Sequence, residues 1–347
     1  MVYLDGFVKN INCFIVLYSI FFSVCASETN IAHAAESGFS LPIRCQPGID
    51  CWLVNTVDRD PGKGVRDYQC GSATYDGHKG TDIAIRDIAT MARGVEVLAA
   101  APGQVLSTRD GMADIDFRKI GGHEAVKGRE CGNGVVLNHG DGWTTQYCHL
   151  RRDSVAVSKG QRVGRGQRLG FVGHSGLAQF PHVHITVRRG KQVVDPFVGL
   201  GKAPACGPGP RPLWSVEAAR ALTYPPLAVY GVGFAAQAPK ADAIRRGFYR
   251  DEVLSKSAKA LILWAEIFRT RAGDEVVMTI TGPSGEAVLD LRKTLEKGHA
   301  RRLLFAGRKR KPLFWSAGDY KGEITIVRKT GPGGGKKVSL SKSVTIR

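Results

Sequence analysis

Short apolar runs alternate with glycine-rich turns through the middle of this chain, which has 347 residues and 43 glycines. Each run is short, and turn-forming residues recur at its ends. This length and spacing predict antiparallel β-sheet rather than βαβ units. The runs are Thr81–Ile85, Val95–Ala99, Gln104–Ser107, Val135–His139, Trp143–His149, Arg168–Val172, Val183–Arg188 and Gln192–Val194.

A segment rich in proline and glycine, Ala203–Pro212, interrupts this pattern. Such a composition is typical of a stiff connector between domains. We therefore predict a β-rich domain at residues 75–202, a linker at 203–214 and a second domain at 215–347. The second domain begins with a short predicted helix, Ser215–Leu222, and its β runs predict a small β-sandwich of the immunoglobulin-like (Ig-like) type. Those runs are Ala260–Phe268, Glu275–Thr281, Ala287–Leu291, Arg302–Phe305, Glu323–Val327 and Val338–Ile346.

Residues 1–34 have the features of a secretory signal peptide. Lys9 precedes a mostly apolar run from Ile11 to Val24, and small residues follow, with candidate cleavage sites after Ala26, Ala34 and Ala35. A positive start, a short apolar core and a small-residue exit mark such a peptide. An uncleaved membrane anchor is the alternative, but the run is short for a full span. The sequence therefore predicts export to the periplasm or to the cell exterior.

The cysteines agree with export. Loss of residues 1–34 would leave six of the eight cysteines, all before residue 207. An even number in an exported protein predicts disulfides, which would also stabilise the loop-rich lead-in at 35–74. The turn His139–Gly142 predicts a hairpin that would bring Cys131 close to Cys148. The other four cysteines are Cys45, Cys51, Cys70 and Cys206, and their pairing is open.

The net charge of +18 favours a polyanionic partner. Nucleic acid is disfavoured, because export is predicted and no aromatic-interleaved nucleic-acid motif is present. The basic clusters Arg301-Arg302 and Arg308–Lys311 fit solvated strand edges, where lysine and arginine block edge-to-edge pairing. Contact with an anionic cell-wall polymer or membrane surface is the functional alternative.

The pair His182 and His184 predicts a metal site. In a strand, residues two apart point to the same face, so both imidazoles would lie together. His78 and Asp82 can add further nitrogen and oxygen donors. Three protein ligands with one position left for water is the usual arrangement of a catalytic zinc. The residues alone therefore indicate a zinc hydrolase.

The motifs around these residues resemble those of the M23 metallopeptidases, the lysostaphin/LytM-like family. The resemblance covers about residues 75–197, and its blocks follow in the family's order. It rests on His78–Ala84, Ala101–Val105, Asn133–Gly140, Thr144–Leu150, Lys159–Val163, Gly170–Gly173, Pro181–His184 and Asp195-Pro196.

The resemblance implies a LytM-like β fold and a role for each motif residue. By this resemblance, His78, Asp82 and His184 would bind one zinc ion, and His149 and His182 would be catalytic. It further implies a zinc metalloendopeptidase that uses a zinc-activated water. Its substrate would be the peptide cross-links of bacterial peptidoglycan, and the C-terminal β-sandwich would be an accessory module for substrate or partner binding.

Two other functions stay open. The chain could be a non-catalytic LytM-like scaffold that regulates another cell-wall hydrolase, or it could act on proteins or short peptides. Other catalytic motifs fail, since His123–Lys127 lacks the second histidine of HExxH and Gly173–Leu177 lacks the last glycine of a nucleophile elbow. His139 and His174 are turn residues or supports of the site.

Overall fold

The computed structural model describes residues 38–201, 205–224, 227–311, 313–329 and 335–347. The predicted signal peptide, with its cleavage sites and Lys9, lies outside these residues. The first two residues of the predicted linker do as well. Among the residues that are described, none of the helices has the length and hydrophobicity needed to cross a bilayer.

The N-terminal half forms one large antiparallel sheet of eight strands and a two-stranded sheet. In the large sheet the strand order is β1-β2-β9-β6-β5-β4-β7, with β10 paired to β9, and β3 pairs with β8. All eight predicted runs are strands, whereas β1 and β7 were not predicted. The strands are β1 (Cys51–Asn55), β2 (Thr81–Ile85), β3 (Glu96–Leu98), β4 (Gly103–Arg109), β5 (Asn133–Gly140), β6 (Trp143–Leu150), β7 (Arg162–Val163), β8 (Arg168–Phe171), β9 (His182–Arg189) and β10 (Gln192–Val193).

Strand β9 shows how the sequence sets the two faces of the large sheet. Val183, Ile185 and Val187 are fully buried in the hydrophobic core. The alternate residues His182, His184 and Thr186 therefore point to the opposite face, as the period of two requires. A single strand thus contributes to the core and presents imidazoles on its other side.

Short helices lie in the connections. They are α1 (Ile88–Arg93), a 3₁₀ turn (Phe117–Lys119), α2 (His123–Val126), α3 (Val216–Ala221) and α4 (Ala241–Arg245). The predicted short helix at Ser215–Leu222 is confirmed as α3, and the Ser215 side chain caps it by accepting from the Ala218 amide. Ala218 and Leu222 pack into the same core as the large sheet.

Three disulfides join all six cysteines that the structure describes, in the pairs Cys45–Cys51, Cys70–Cys206 and Cys131–Cys148. The predicted Cys131–Cys148 bridge across the β5–β6 hairpin is confirmed. The Cys70–Cys206 bridge closes a loop of 136 residues and attaches the chain after the large sheet to the loop between β1 and β2.

The C-terminal half forms a three-stranded sheet, β11-β13-β16, and a five-stranded sheet, β12-β18-β17-β14-β15. Apolar residues of both sheets share one core, so the sheets face each other as two layers. Strands β11 and β12 were not predicted, while the six predicted runs are all strands. The strands are β11 (Ala228–Ala235), β12 (Val253–Leu254), β13 (Ala260–Thr270), β14 (Glu275–Thr281), β15 (Ala287–Thr294), β16 (His299–Lys309), β17 (Gly318–Arg328) and β18 (Lys336–Ile346).

The two cores define two units, which we call the N-terminal unit (38–224) and the C-terminal unit (227–347). The mostly β fold class is confirmed; the Ig-like type of the second part and the predicted domain limits stay predictions. A small buried cluster joins the units. It combines Trp52, Val54 and Ala84 of the N-terminal unit with Ala228, Tyr230 and Phe268 of the C-terminal unit.

Candidate metal centre

Strand register brings the predicted ligands together. Strands β2 and β9 are antiparallel neighbours, with Asp82 opposite His184 and Ala84 opposite His182. Strand β6 lies on the other side of β9, and Cys148 is opposite His184, so the next residue, His149, reaches the same place. His78 enters from the loop before β2. Three adjacent strands thus position residues that are about a hundred positions apart in sequence.

The side-chain atoms of His78, Asp82 and His184 converge on one point. His78 Nε2 lies 3.2 Å from Asp82 Oδ1 and 3.1 Å from His184 Nδ1, and the latter two atoms are 2.7 Å apart. Donors of a tetrahedral zinc site lie about 3.3 Å from one another. Two of the three separations are close to that value, and two imidazoles with one carboxylate are a donor set that zinc favours.

Backbone carbonyls fix the orientation of three imidazoles. Nδ1 of His78 donates to Thr56 O at 2.6 Å. Nδ1 of His149 donates to Ser175 O at 2.8 Å, and Nδ1 of His182 donates to Phe180 O at 2.8 Å. A carbonyl can only accept, so Nδ1 carries a proton, and in the neutral form of each ring the lone pair is on Nε2. Several lone pairs thus surround an ionised carboxylate, an arrangement that a bound cation stabilises.

Two further groups hold the ligands in place, and sequence reasoning missed both. Asn55 Nδ2 donates to Asp82 Oδ2 at 2.9 Å, which leaves Oδ1 directed at the histidines. Nε2 of His184 lies 2.8 Å from the Thr186 hydroxyl, on the side of the ring away from Asp82. Hydrogen bonds of this kind orient metal ligands and tune their basicity. The spacing of His184 and Thr186 on one strand face is a signal that could have identified Thr186.

His149 and His182 lie beside the ligand group. Their ring centroids are 4.6 Å apart, and His182 Nε2 is 3.7 Å from Asp82 Oδ1. His149 has a φ of +63°, in the left-handed region that costs a residue with a Cβ about 1 kcal/mol. All five predicted residues therefore lie together, whereas their roles as ligands and catalysts stay a prediction.

The pKa shifts favour the charged form of the Asp82 carboxyl and the neutral form of the His149 and His182 imidazoles. Burial would raise the pKa of Asp82, but the neighbouring His78 and His182 hold it well below its usual range. Burial lowers the pKa of His149 well below its usual range, and the nearby His182 and His184 lower it further. Burial also lowers the pKa of His182, against the attraction of Asp82. Near neutral pH, Asp82 is therefore a carboxylate anion, and His149 and His182 are neutral imidazoles.

The remaining histidines of this part differ in their surroundings. His139 Nδ1 donates to Pro102 O, and its Nε2 lies 2.8 Å from the Thr145 hydroxyl, so it supports the hairpin rather than the site. His174 is buried, and its Nε2 has no hydrogen-bond partner among the residues described. Burial and the nearby His182 lower the pKa of His174 to about 4. His123 begins α2 and lines the same cavity as Asp82 and His182.

This part of the chain is similar to known proteins. The model of peptidase family M23 matches residues 76–196. The peptidoglycan DD-endopeptidase ShyA of Vibrio cholerae is 35% identical over 117 residues, which are 33% of this chain and 21% of ShyA. The DD-carboxypeptidase/endopeptidase Mpg of Neisseria meningitidis is 33% identical over 103 residues, 30% of this chain and 21% of Mpg. The chain thus spans about a fifth of the length of these curated relatives.

Solved structures include the catalytic domain of the prophage-encoded M23 protein EnpA from Enterococcus faecalis. It is 23% identical, with 42% of this chain and 88% of that domain covered and a TM-score of 0.29. The family model covers strands β2 to β10 and the five residues His78, Asp82, His149, His182 and His184. The segment from residue 76 to residue 196 is therefore a peptidase family M23 domain.

Proposed function

We propose that this protein is an exported zinc endopeptidase that cuts the peptide cross-links of bacterial peptidoglycan. The observation that carries the proposal is the convergence of His78, Asp82 and His184, with His149 and His182 beside them. ShyA, named as a peptidoglycan DD-endopeptidase, supports the reaction and the substrate, and Mpg, named as a DD-carboxypeptidase/endopeptidase, supports the reaction. The lone pairs directed at Asp82 support a bound cation as part of the site.

His78, Asp82 and His184 would hold the metal through Nε2, Oδ1 and Nδ1. Bound there, zinc would supply Lewis-acid polarisation of a water molecule and of the scissile carbonyl. Asn55 keeps Asp82 oriented, and Thr56 does the same for His78, so the donor set is organised in advance. This organisation lowers the cost of ordering the ligands when the ion binds.

His149 and His182 would move the proton. Nε2 of each ring is the acceptor, because each Nδ1 proton is held by a carbonyl. A neutral imidazole in this position can take a proton from the attacking water and give it to the leaving amine. Before it gives up this proton, the same ring is a donor that can stabilise the oxygen that gains negative charge. Both rings are buried, so bulk water competes little for these contacts.

Export is part of the proposal. Three disulfides join the described cysteines, and structural disulfides persist in oxidising compartments. The apolar N-terminal run supplies the route, as a signal peptide. The periplasm or the cell exterior is also where peptidoglycan is accessible.

A non-catalytic scaffold is the second candidate function, and the complete ligand set argues against it. The test is metal content, measured by inductively coupled plasma mass spectrometry on the purified exported chain and on His184→Ala. We expect about one zinc per chain and its loss in the variant, with retention in His299→Ala, which changes an exposed histidine on β16.

Activity is measured in parallel as dye release from labelled sacculi, with mass spectrometry of the released fragments. Release by the wild type and its loss in His184→Ala would support the proposal, and a panel of unrelated peptides would test the broader peptidase. A chain that binds no zinc and leaves sacculi intact would contradict the proposal and favour the scaffold.

A further inference from the structure

The metal centre opens into a cavity that both units line. Its volume is about 880 Å³, within the range of sites for small ligands and short peptides. The N-terminal unit contributes Asp82 and His182 among other residues. The C-terminal unit contributes the end of β13, the start of β16 and Arg245 of α4. A peptide held at the metal centre would therefore contact the C-terminal unit.

The lining is strongly cationic. Asp82 is the sole carboxylate among the lining residues that the structure describes, and it belongs to the metal centre. The arginines of the lining are Arg118, Arg245, Arg269, Arg271 and Arg301. Arg118 is neutralised by Asp116, because its Nε proton is shared between the two carboxylate oxygens, at 2.9 and 3.2 Å, and its Nη2 donates to Oδ2. The excess positive charge therefore comes from the C-terminal unit.

Two of these arginines share one carboxylate. Glu266 is buried on β13, and its Oε2 accepts from Arg301 Nη2 at 2.9 Å. Its Oε1 accepts from Arg245 Nε at 3.5 Å, the limit of a hydrogen bond. We call Glu266, Arg245 and Arg301 the trio. One carboxylate balances one guanidinium, so the trio keeps one positive charge beside the cavity. The Arg245 side chain is about 30% exposed and can turn its fork towards a ligand.

The trio is also tied to the metal centre. The Arg301 guanidinium lies 5.7 Å from the ring centroid of Phe180, and the Phe180 ring is 4.9 Å from that of His182. The Phe180 carbonyl accepts the Nδ1 proton of His182. Arg301 thus keeps a fixed relation to a predicted catalytic residue, as a subsite of one cleft requires.

We propose that the C-terminal unit supplies an anion subsite, built around Arg245 and Arg301, that binds a carboxylate of the peptide held in the metal-centre cavity. The ligand class is an acidic peptide with a free side-chain or terminal carboxylate. Paired arginines suit this group, because the guanidinium fork matches carboxylate geometry. The inference rests on the proposed function, and it gives the C-terminal unit a role in substrate selection.

Holding the units together is the competing role for these arginines. The polar contacts of the trio lie inside the C-terminal unit, since Glu266 belongs to β13 and Tyr230, which accepts from Arg301 Nε, belongs to β11. The apolar cluster of Trp52, Val54 and Phe268 already joins the units. Arg245 is therefore not needed for that purpose, and its charge is available to a ligand.

The test is peptide binding without turnover, on the exported full chain carrying His149→Ala. The probes are a fluorescently labelled tetrapeptide with a glutamate and a free C-terminal carboxylate, and its neutral twin with glutamine and a C-terminal amide. Fluorescence anisotropy gives both dissociation constants. Arg245→Gln is compared with Arg246→Gln, a matched change at the next residue, which pairs with Asp242 and does not line the cavity.

We expect the acidic probe to bind more tightly than the neutral one. Arg245→Gln should weaken only the acidic probe, by about tenfold, the value of a hydrogen bond to a charged group. Arg246→Gln should change neither, and Arg245→Lys should recover part of the loss. If Arg245→Gln does not fold, Arg245→Lys alone tests the subsite. It keeps the positive charge but loses the guanidinium fork, so it should still bind the acidic probe more weakly than the unchanged arginine does.

Unchanged binding of the acidic probe by a folded Arg245 variant, or equal weakening of both probes, would overturn the inference. Its failure is distinct from failure of the proposed function. Anisotropy reports the subsite whether or not hydrolysis occurs, whereas dye release from sacculi reports hydrolysis whether or not the subsite selects acidic peptides.

Discussion

Asp82 is the residue on which the metal centre depends most directly. It is buried, with an exposed fraction of 2%, and an ionised carboxylate at such a position needs compensating partners. Oδ2 receives one hydrogen bond from Asn55, while Oδ1 faces His78 and His184. Because Thr56 holds the Nδ1 proton of His78, the inward nitrogen stabilises the anion only when the ring takes up a second proton; burial opposes this protonation, while Asp82 raises the pKa of His78. A divalent cation would supply the missing positive charge.

Asp195 is a second single residue that allows a prediction, in this case one that depends on pH. Burial raises its pKa from 3.8 to about 6, the nearby Asp67 adds to this, and Oδ2 has no hydrogen-bond partner among the described residues. The folded state therefore prefers the protonated acid. Ionisation of Asp195 lowers the free energy of unfolding. This loss of stability is absent below pH 3.8 and complete above pH 6, where it is about 3 kcal/mol. Stability from this group is thus lost as the pH rises.

Asp195→Asn should therefore stabilise the protein more at pH 8 than at pH 5, by up to about 3 kcal/mol at the higher pH. Chemical denaturation at both pH values measures this difference. Asp141→Asn, in the exposed β5–β6 turn, is the control. An equal change in the free energy of unfolding at pH 5 and pH 8 would contradict the assignment of the penalty to Asp195.

Single residues differ in how well the sequence predicts them. The positions of His78 and Asp82 were predictable because metal chemistry restricts the residue type at each. Thr56, Ser175 and Phe180 act through backbone carbonyls, which any residue could supply. Such contacts leave no pattern in residue type, so only the structure identifies them.

The strands also differ in how well the sequence predicts them. Regular runs such as β2 and β14 were predicted with their observed bounds, whereas β11 was missed because its sequence contains two glycines, which weaken a strand signal. The structure gives the reason for one of them. A Cβ at Gly233 would lie 2.6 Å from the Trp264 ring, so glycine makes room for a tryptophan on the neighbouring strand β13.

The β5–β6 hairpin positions a predicted catalytic residue, which gives a prediction for its disulfide. Cys148 is bonded to Cys131 and directly precedes His149, whose backbone amide donates to Cys131 O at 2.8 Å. These links hold the left-handed backbone of His149. Replacing both cysteines by serine should let His149 relax and slow hydrolysis of sacculi by about tenfold to hundredfold.

Zinc content should stay unchanged in this double variant, because none of the three predicted ligands is bonded to the hairpin cysteines. Rates of dye release and metal content are measured on the same preparations. The matched control replaces Cys45 and Cys51 by serine, which opens a loop of only six residues outside the ligand group. Similar losses in both double variants would mean that the hairpin disulfide acts through general stability alone.

For the whole molecule, the arrangement of the two units was the part least accessible from sequence. The apolar cluster between them takes Trp52 from β1, Ala84 from β2 and Phe268 from β13. Strand periodicity assigns each residue a face but does not say which faces meet. The cavity with its cationic wall follows from that meeting, so the sequence indicated a basic protein without locating where the charge is used.

The same cluster predicts that the two units unfold together. The Tyr230 ring stacks on Phe268 at a centroid distance of 4.0 Å, and Trp52 packs edge-on against Tyr230 at 5.8 Å. An apolar interface of this kind couples the stability of its two sides. Calorimetry of the exported chain should therefore show one transition. Trp52→Ala, which removes about 3 kcal/mol of packing, should divide it into two.

Trp143→Ala is the matched control, because it removes a buried tryptophan from the core of the N-terminal unit without touching the C-terminal unit. It should lower the melting temperature while leaving a single transition. Two transitions in the wild type would show that the units unfold independently. In that case the cavity wall would move relative to the metal centre, and a carboxylate bound by Arg245 would lose its fixed distance from His182.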